Sequence, residues 1–146
     1  KIKAIRDLPS GAYVIFEAVQ PAEAAPDKAY LYFTTDTSMG SSDAEVYYSV
    51  RVPKAWIADN KIGYQTIRIL ERTDQGWRAL DTLLVQSEDY IYYTTSDFKK
   101  GATYAVTARQ TDFWKIIGMI KDYYGGGQTS MLDIIDEISV YYGVAI

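Results

Sequence analysis

Apolar and polar side chains alternate with a period of two through most of this chain up to about residue 110, and the period then changes to that of a helix. Successive strand residues point to opposite sides of a sheet, so such alternation demands sheets with one face buried. Residues 12–20 follow Pro9-Ser10-Gly11 and end at Pro21, and Pro21 to Pro26 reads as a Pro/Ala loop. Residues 28–36 carry Ala29, Leu31 and Phe33 on one face and Tyr30, Tyr32 and Thr34 on the other, which predicts a central strand. Asp36 to Asp43 is turn-rich, and 44–52 follows with Val46, Tyr48, Val50 and Val52 facing inward. Pro53 stops that strand and opens a short helical turn, 54–59, which Asn60 is placed to end in the left-handed conformation. Further strands are expected at 65–72, 77–85, 90–95 and 102–110, with turns at Thr73–Gly76 and Gln86–Asp89. Short strands spaced by turns at roughly eight- to twelve-residue intervals predict an antiparallel β-sandwich of about seven to eight strands.

Past that point Phe113, Ile116, Ile117, Ile120 and Tyr124 recur at helical spacing behind Thr111-Asp112 as N-cap candidates. Gly125-Gly126-Gly127 ends that helix, Thr129 or Ser130 caps a second near capping-box spacing from Asp133, and Leu132, Ile135, Ile138 and Tyr142 form its stripe. The two helices resemble each other, each ending in Tyr-Tyr-Gly, and make an αα-hairpin. The expected organisation is a β-sandwich over 1–110 and a helical hairpin over 111–146, packed on the sandwich or on a neighbouring subunit. Isolated helices this short are marginal in water, so their apolar stripes call for a partner.

Composition narrows the chemistry. The 146 residues contain no histidine and no cysteine. That removes disulfides, thiolate nucleophiles, Cys-type metal sites and the side chain best suited to proton transfer near neutral pH. A net charge of −4 with scattered Lys and Arg argues against a nucleic-acid surface. No run of about eighteen apolar residues is present, so no membrane span is expected, and no leader pattern opens the chain. The expectation is a product that has lost its leader or a piece of a longer chain. Asn60 is the sole asparagine and does not sit in an N-glycosylation sequon.

Trp56 and Trp77 admit two readings: a sugar-stacking platform, or core anchors with satisfied indole N–H groups, which their apolar surroundings favour. Tyr30, Tyr32, Tyr47, Tyr90, Tyr92 and Tyr93 are the candidate contact surface, because fourteen tyrosines exceed what one core absorbs and tyrosine suits interfaces. Asp36, Asp43, Asp74, Asp81, Glu88, Asp89 and Asp97 lie in or near loops and read as solvated turn acids. No Asp-x-Asp-x-Asp-Gly run is present, so no cofactor is expected; a loop Ca²⁺ site joining Glu88 and Asp89 to a distant Asp is the one metal reading left open. The glycine run 125–127 has no preceding strand and no following Lys, and reads as a connector.

Several spaced motifs fall in order between Val46 and Ala108: Val50-Arg51-Val52-Pro53-Lys54-Ala55-Trp56-Ile57, Asn60-Lys61-Ile62, Thr66-Ile67-Arg68-Ile69-Leu70, Gly76-Trp77-Arg78-Ala79-Leu80-Asp81-Thr82, Glu88-Asp89-Tyr90-Ile91-Tyr92-Tyr93 and Tyr104-Ala105-Val106. This stretch resembles the PGF-pre-PGF domain of archaeal cell-surface proteins, as a divergent member: Phe98-Lys99-Lys100-Gly101 stands where the family closes on Pro-Gly-Phe-Ser. The resemblance implies an exported β-sandwich of the archaeal envelope, often one module of a longer surface protein, and supplies no catalytic residues. Trp56, Trp77 and Asn60 become structural anchors under it. The expected function is therefore a non-catalytic extracellular structural protein that self-assembles as a surface-layer module or filament subunit. Its expected partners are copies of itself or other envelope proteins. The rival readings are a carbohydrate-binding or adhesion module using exposed Trp and Tyr, and a hydrolase built on a carboxylate pair.

Overall fold

The computed structural model describes residues 2–4, 10–38, 46–95 and 98–143; for residues 2–4, 46, 47 and 92 the description stops at the backbone. Among these residues nine strands form two antiparallel sheets, followed by two helices, so the chain is mainly β as the alternation predicts. The four-stranded sheet has the order β1 (Ile2–Ala4), β4 (Val46–Pro53), β8 (Tyr90–Thr95), β7 (Leu83–Gln86). The five-stranded sheet has the order β2 (Val14–Ala18), β3 (Lys28–Thr37), β9 (Thr103–Ala108), β5 (Arg68–Thr73), β6 (Gly76–Ala79). Every pairing is antiparallel.

The core is what two half-buried sheets leave between them. Tyr48 and Val52 of β4 and Ile91 and Tyr93 of β8 meet Phe33 of β3, Ile69 of β5, and Tyr104 and Val106 of β9. These are the inward positions of the alternating runs. Phe98 closes one end, with ring centroids 4.4 Å from Tyr104 and 4.7 Å from Tyr48. A smaller cluster covers the outer face of the five-stranded sheet, where Ala25 of the Pro/Ala loop lies on Leu70 and Ala105 beside Tyr32 and Trp77. The loop is tied down there by the Ala25 N–H donating to Tyr32 Oη at 3.1 Å and by an Arg72–Glu23 ion pair.

Four expectations change. The run 77–85 is not one strand: β6 pairs with β5 in one sheet, β7 pairs with β8 in the other, and residues 80–82 cross between them. Leu80 drives the crossing, because its buried side chain joins the inter-sheet core while its N–H donates to the Ile69 carbonyl at 2.9 Å. In β3 the register shifts between Ala29 and Leu31, and the extra residue, Tyr30, packs on the core at 4.9 Å from the Trp56 ring. The left-handed residue after α1 (Lys54–Asp59) is Lys61, at φ 53°, and not Asn60, at φ −95°. Asn60 instead turns its Nδ2 back to donate to the Trp56 carbonyl at 2.8 Å. Residues 65 and 66, expected to open a strand, lie instead in a single 3₁₀ turn, Tyr64–Thr66, before β5.

Helices α2 (Phe113–Tyr124) and α3 (Met131–Tyr142) start where their caps predict. Asp112 Oδ1 accepts from the Lys115 N–H at 2.7 Å, and Ser130 with Asp133 forms a reciprocal capping box. Gly143, at φ 71°, ends α3. The hairpin meets the sandwich through α3 and the segment after α1. Lys61 Nζ lies 3.7 Å from the centre of the Tyr141 ring, and Gly143 backs on Ala58, where an added Cβ would lie 3.4 Å from the alanine methyl. A Lys115–Glu137 ion pair of 2.7 Å links the helices.

Candidate contact surface

The two helices are copies in more than their ends. Asp112–Gly125 and Ser130–Gly143 align without a gap, which superposes Ile116 on Ile134, Ile117 on Ile135, Ile120 on Ile138, Tyr123 on Tyr141 and Tyr124 on Tyr142. The structure treats the copies alike. Each helix buries one residue, at the same position, Ile116 in one and Ile134 in the other. Each leaves the same positions bare: Trp114 and Leu132 are 78% and 71% exposed, and Tyr124 and Tyr142 are 80% and 73%. Even the paired tyrosines repeat, edge to face at 5.2 Å in both helices.

The result is an unusually apolar surface. Phe113, Trp114, Tyr124, Met131, Leu132, Ile135 and Tyr142 are all exposed on two short helices, more large apolar area than scattered surface residues normally present. The stripes named from the sequence are thus real, but Leu132, Ile135 and Tyr142 are exposed, and the buried position of the second helix is Ile134. Trp114 falls off the helical stripe, which is why periodicity passed over it. Its place beside Phe113 at the helix start, outside the i, i+3, i+4 row, was the available signal. The helices also differ in charge: α2 carries two lysines and one aspartate, α3 two aspartates and one glutamate.

Those of the expected contact-surface tyrosines whose side chains are described face different neighbours. Tyr93 is a correction: it is buried, its hydroxyl donates to the Tyr64 carbonyl at 2.7 Å, and burial raises its pKa. Parity places it inward, opposite Val50 and Leu84. Tyr30 and Tyr32 are half-buried against Trp56 and Trp77, on opposite sides of β3. Tyr90 is half-buried with the Arg51 guanidinium 4.8 Å from its ring centre. Tyr47 lies in β4 and Tyr92 in β8, but their side chains are outside the described residues. Trp56 packs on the main core and Trp77 on the smaller cluster, both half-buried. Trp77 Nε1 finds no hydrogen-bond partner among the described residues, contrary to the expectation of a satisfied indole.

The carboxylates have structural duties. Glu71, which sequence reasoning passed over, is buried at the end of the core, bonded to Arg78, with Lys99 Nζ at 3.5 Å. Above it, burial pushes the Tyr104 hydroxyl up to about 12, opposed by its hydrogen bond to the Lys99 backbone and assisted by the Glu71 charge. On the hairpin, hydrogen bonds from Thr129 hold Asp122 below the usual carboxylate range, and hydrogen bonds from Ser130 do the same for Asp133. Among the described residues no three acidic side chains gather as a metal site, and Glu88 and Asp89 are exposed without a third acid. Asp43 and Asp97 lie outside the described residues.

The fold and surface define a two-sheet antiparallel sandwich carrying a duplicated, apolar-faced helical hairpin. Compared with family models, curated proteins and solved structures, the chain finds no match.

Proposed function

We propose that this chain is a non-catalytic structural module of the archaeal cell envelope that assembles with copies of itself, using the α2–α3 hairpin as its contact. The carrying observation is the bare apolar face repeated on both helices, centred on Trp114 and Leu132. A second copy is the occupant that fits. Two hairpins related by a two-fold axis set each α2 against the partner's α3, bringing the helix with excess lysine onto the helix with excess carboxylate. Such a four-helix arrangement covers both repeats at once, and tryptophan and tyrosine are the residues that dominate well-packed interfaces. The envelope placement rests on the resemblance of Val46–Ala108 to the surface-domain family, and the structural role on the absence of histidine and cysteine together with carboxylates engaged in caps and ion pairs.

Sedimentation velocity over a concentration series tests this. The wild-type chain should associate, and Trp114→Glu with Leu132→Glu should return it to monomer with an unchanged far-UV spectrum. A wild-type protein that stays monomeric at high concentration sinks the reading. The second reading, carbohydrate binding, now draws on Trp114, which is largely exposed beside Phe113, and less on Trp56 and Trp77, which are packed. Glycan-array binding lost on Trp114→Ala, in a protein that remains monomeric, would favour it.

A further inference from the structure

The hairpin contact is isologous and closes on itself as a dimer. A second feature of the sandwich leads further, and it rests on the self-assembly reading. We propose that β7 pairs edge to edge with β1 of a second copy, so that the four-stranded sheet runs on from one molecule to the next in a single direction.

Strand β7 is an edge: among the described residues it pairs with β8 and with nothing on its other side. Leu83, Leu84 and Val85 are all exposed, so both faces of this strand are apolar and open. Natural edges are normally blunted by charge, proline or a bulge, and Leu83-Leu84-Val85-Gln86 has none of these. Among the described residues the opposite edge of the same sheet is β1, and the two fit in direction. Four antiparallel strands alternate, so β7 runs opposite to β1. A second copy in the same orientation therefore offers its β1 antiparallel to β7, and the alternation continues unbroken. An odd strand count would have turned each new copy over.

Charge chooses β1 as the occupant. Residues 1–4 carry Lys1 and Lys3 and no acid, and the Arg6-Asp7 pair that follows is balanced, whereas β7 is flanked by Asp81 on one side and Glu88 and Asp89 on the other, with no cation between. Antiparallel pairing sets the lysine-bearing start of this segment toward the Glu88-Asp89 end of β7. With Ile2 and Ala4 opposite Gln86 and Leu84, the step between strand faces is kept, because Ile2 stands opposite Tyr48 within its own sheet and Leu84 opposite Tyr93. The contact joins different surfaces, so it is heterologous and open. It is also short, three residue pairs, so the assembly rests on the hairpin contact as well. Hairpin pairs linked through sheet edges form a filament.

The absence of cysteine makes the test direct. Within one chain β1 and β7 are separated by β4 and β8, which at about 4.8 Å per strand puts them roughly 14 Å apart, beyond the roughly 7 Å Cα separation a disulfide spans. Protein carrying Lys3→Cys is mixed with protein carrying Val85→Cys and oxidised. A crosslinked heterodimer as the main product is the expected result. Predominant Val85→Cys homodimer would instead mean β7-to-β7 pairing, and no crosslink from associated protein would mean no edge contact; either overturns the proposal. In parallel, electron microscopy should show filaments for the wild type, and only dimers by sedimentation for Leu83→Lys with Val85→Lys, whose exposed positions spare the fold. Filaments that persist in that variant overturn the edge contact and leave the hairpin reading standing. A wild type that never leaves the monomer removes both.

Discussion

Tyr104 shows how one side chain can serve both the packing and the polar accounting of a core. Its ring is fully buried and stacks on Phe33 at 5.5 Å, while its hydroxyl accepts from the Lys99 N–H at 2.5 Å in a turn that also receives Thr35 Oγ1 at 2.7 Å. A phenolate there would sit dry and beside Glu71, so the folded pKa of about 12 stands above the unfolded value of 10.0. The folded state holds this proton more tightly, so stability is intact below pH 10 and falls as pH rises from 10 toward 12. Tyr93 and Tyr48, raised by the same cause, act in the same direction. Tyrosinate absorbance near 295 nm should therefore rise together with loss of β-sheet ellipticity, and tyrosines that titrate fully in a still-folded protein would contradict this. That Tyr104 faces inward was legible from its alternation with Thr103 and Thr107. That Tyr93 does so while Tyr90 is half-exposed was not, because Tyr90-Ile91-Tyr92-Tyr93 is apolar on both parities and composition carries no face.

The helices were the most legible elements, because their caps are local chemistry. Ser130→Ala removes one half of the capping box and should cost about 1 kcal/mol, read as a loss in the urea midpoint. The hairpin also has an acid limit. Asp122 and Asp133 have folded pKa values held below 3.8, so their contribution is present above pH 4 and lost as pH drops below it. Helical ellipticity should fade there, and Asp122→Asn should remove part of that pH dependence; an identical acid profile in the variant would count against the assignment. Gly127 shares this duty, since a Cβ at that position would lie 1.9 Å from Asp122 Oδ1 and expel the carboxylate that receives the Thr129 N–H. The division of 77–85 into β6 and β7 was not legible. Leu80 fits an inward strand position equally well whether the chain continues in one sheet or crosses to the other.

Two sheets and a hairpin differ in how firmly they hold the molecule. Ile69 is fully buried where β5 meets the core, and Ile69→Ala should destabilise the sandwich by about 2–5 kcal/mol. Ile134→Ala, on a helix with most other apolar residues in solvent, should cost less in the monomer; equal losses for the two variants in urea melts of monomeric protein would contradict this. Under the proposed self-assembly, the same exposure makes the hairpin the surface that changes.

Alternation, turn residues, caps and the change of period are short-range signals, and they carried the class, the strand positions and the helical pair. Each follows from steric preference and from the partition of apolar side chains between water and a face, which neighbouring residues settle among themselves. The pairing order, the crossing at 80–82, the bulge at Tyr30 and the bare faces of α2, α3 and β7 follow from which distant surfaces meet. An apolar stripe states that a face wants cover. Whether the cover comes from the same chain depends on the shape of everything else, and here one position of each helix, Ile116 and Ile134, is buried while Trp114, Tyr124, Leu132 and Tyr142 stay bare.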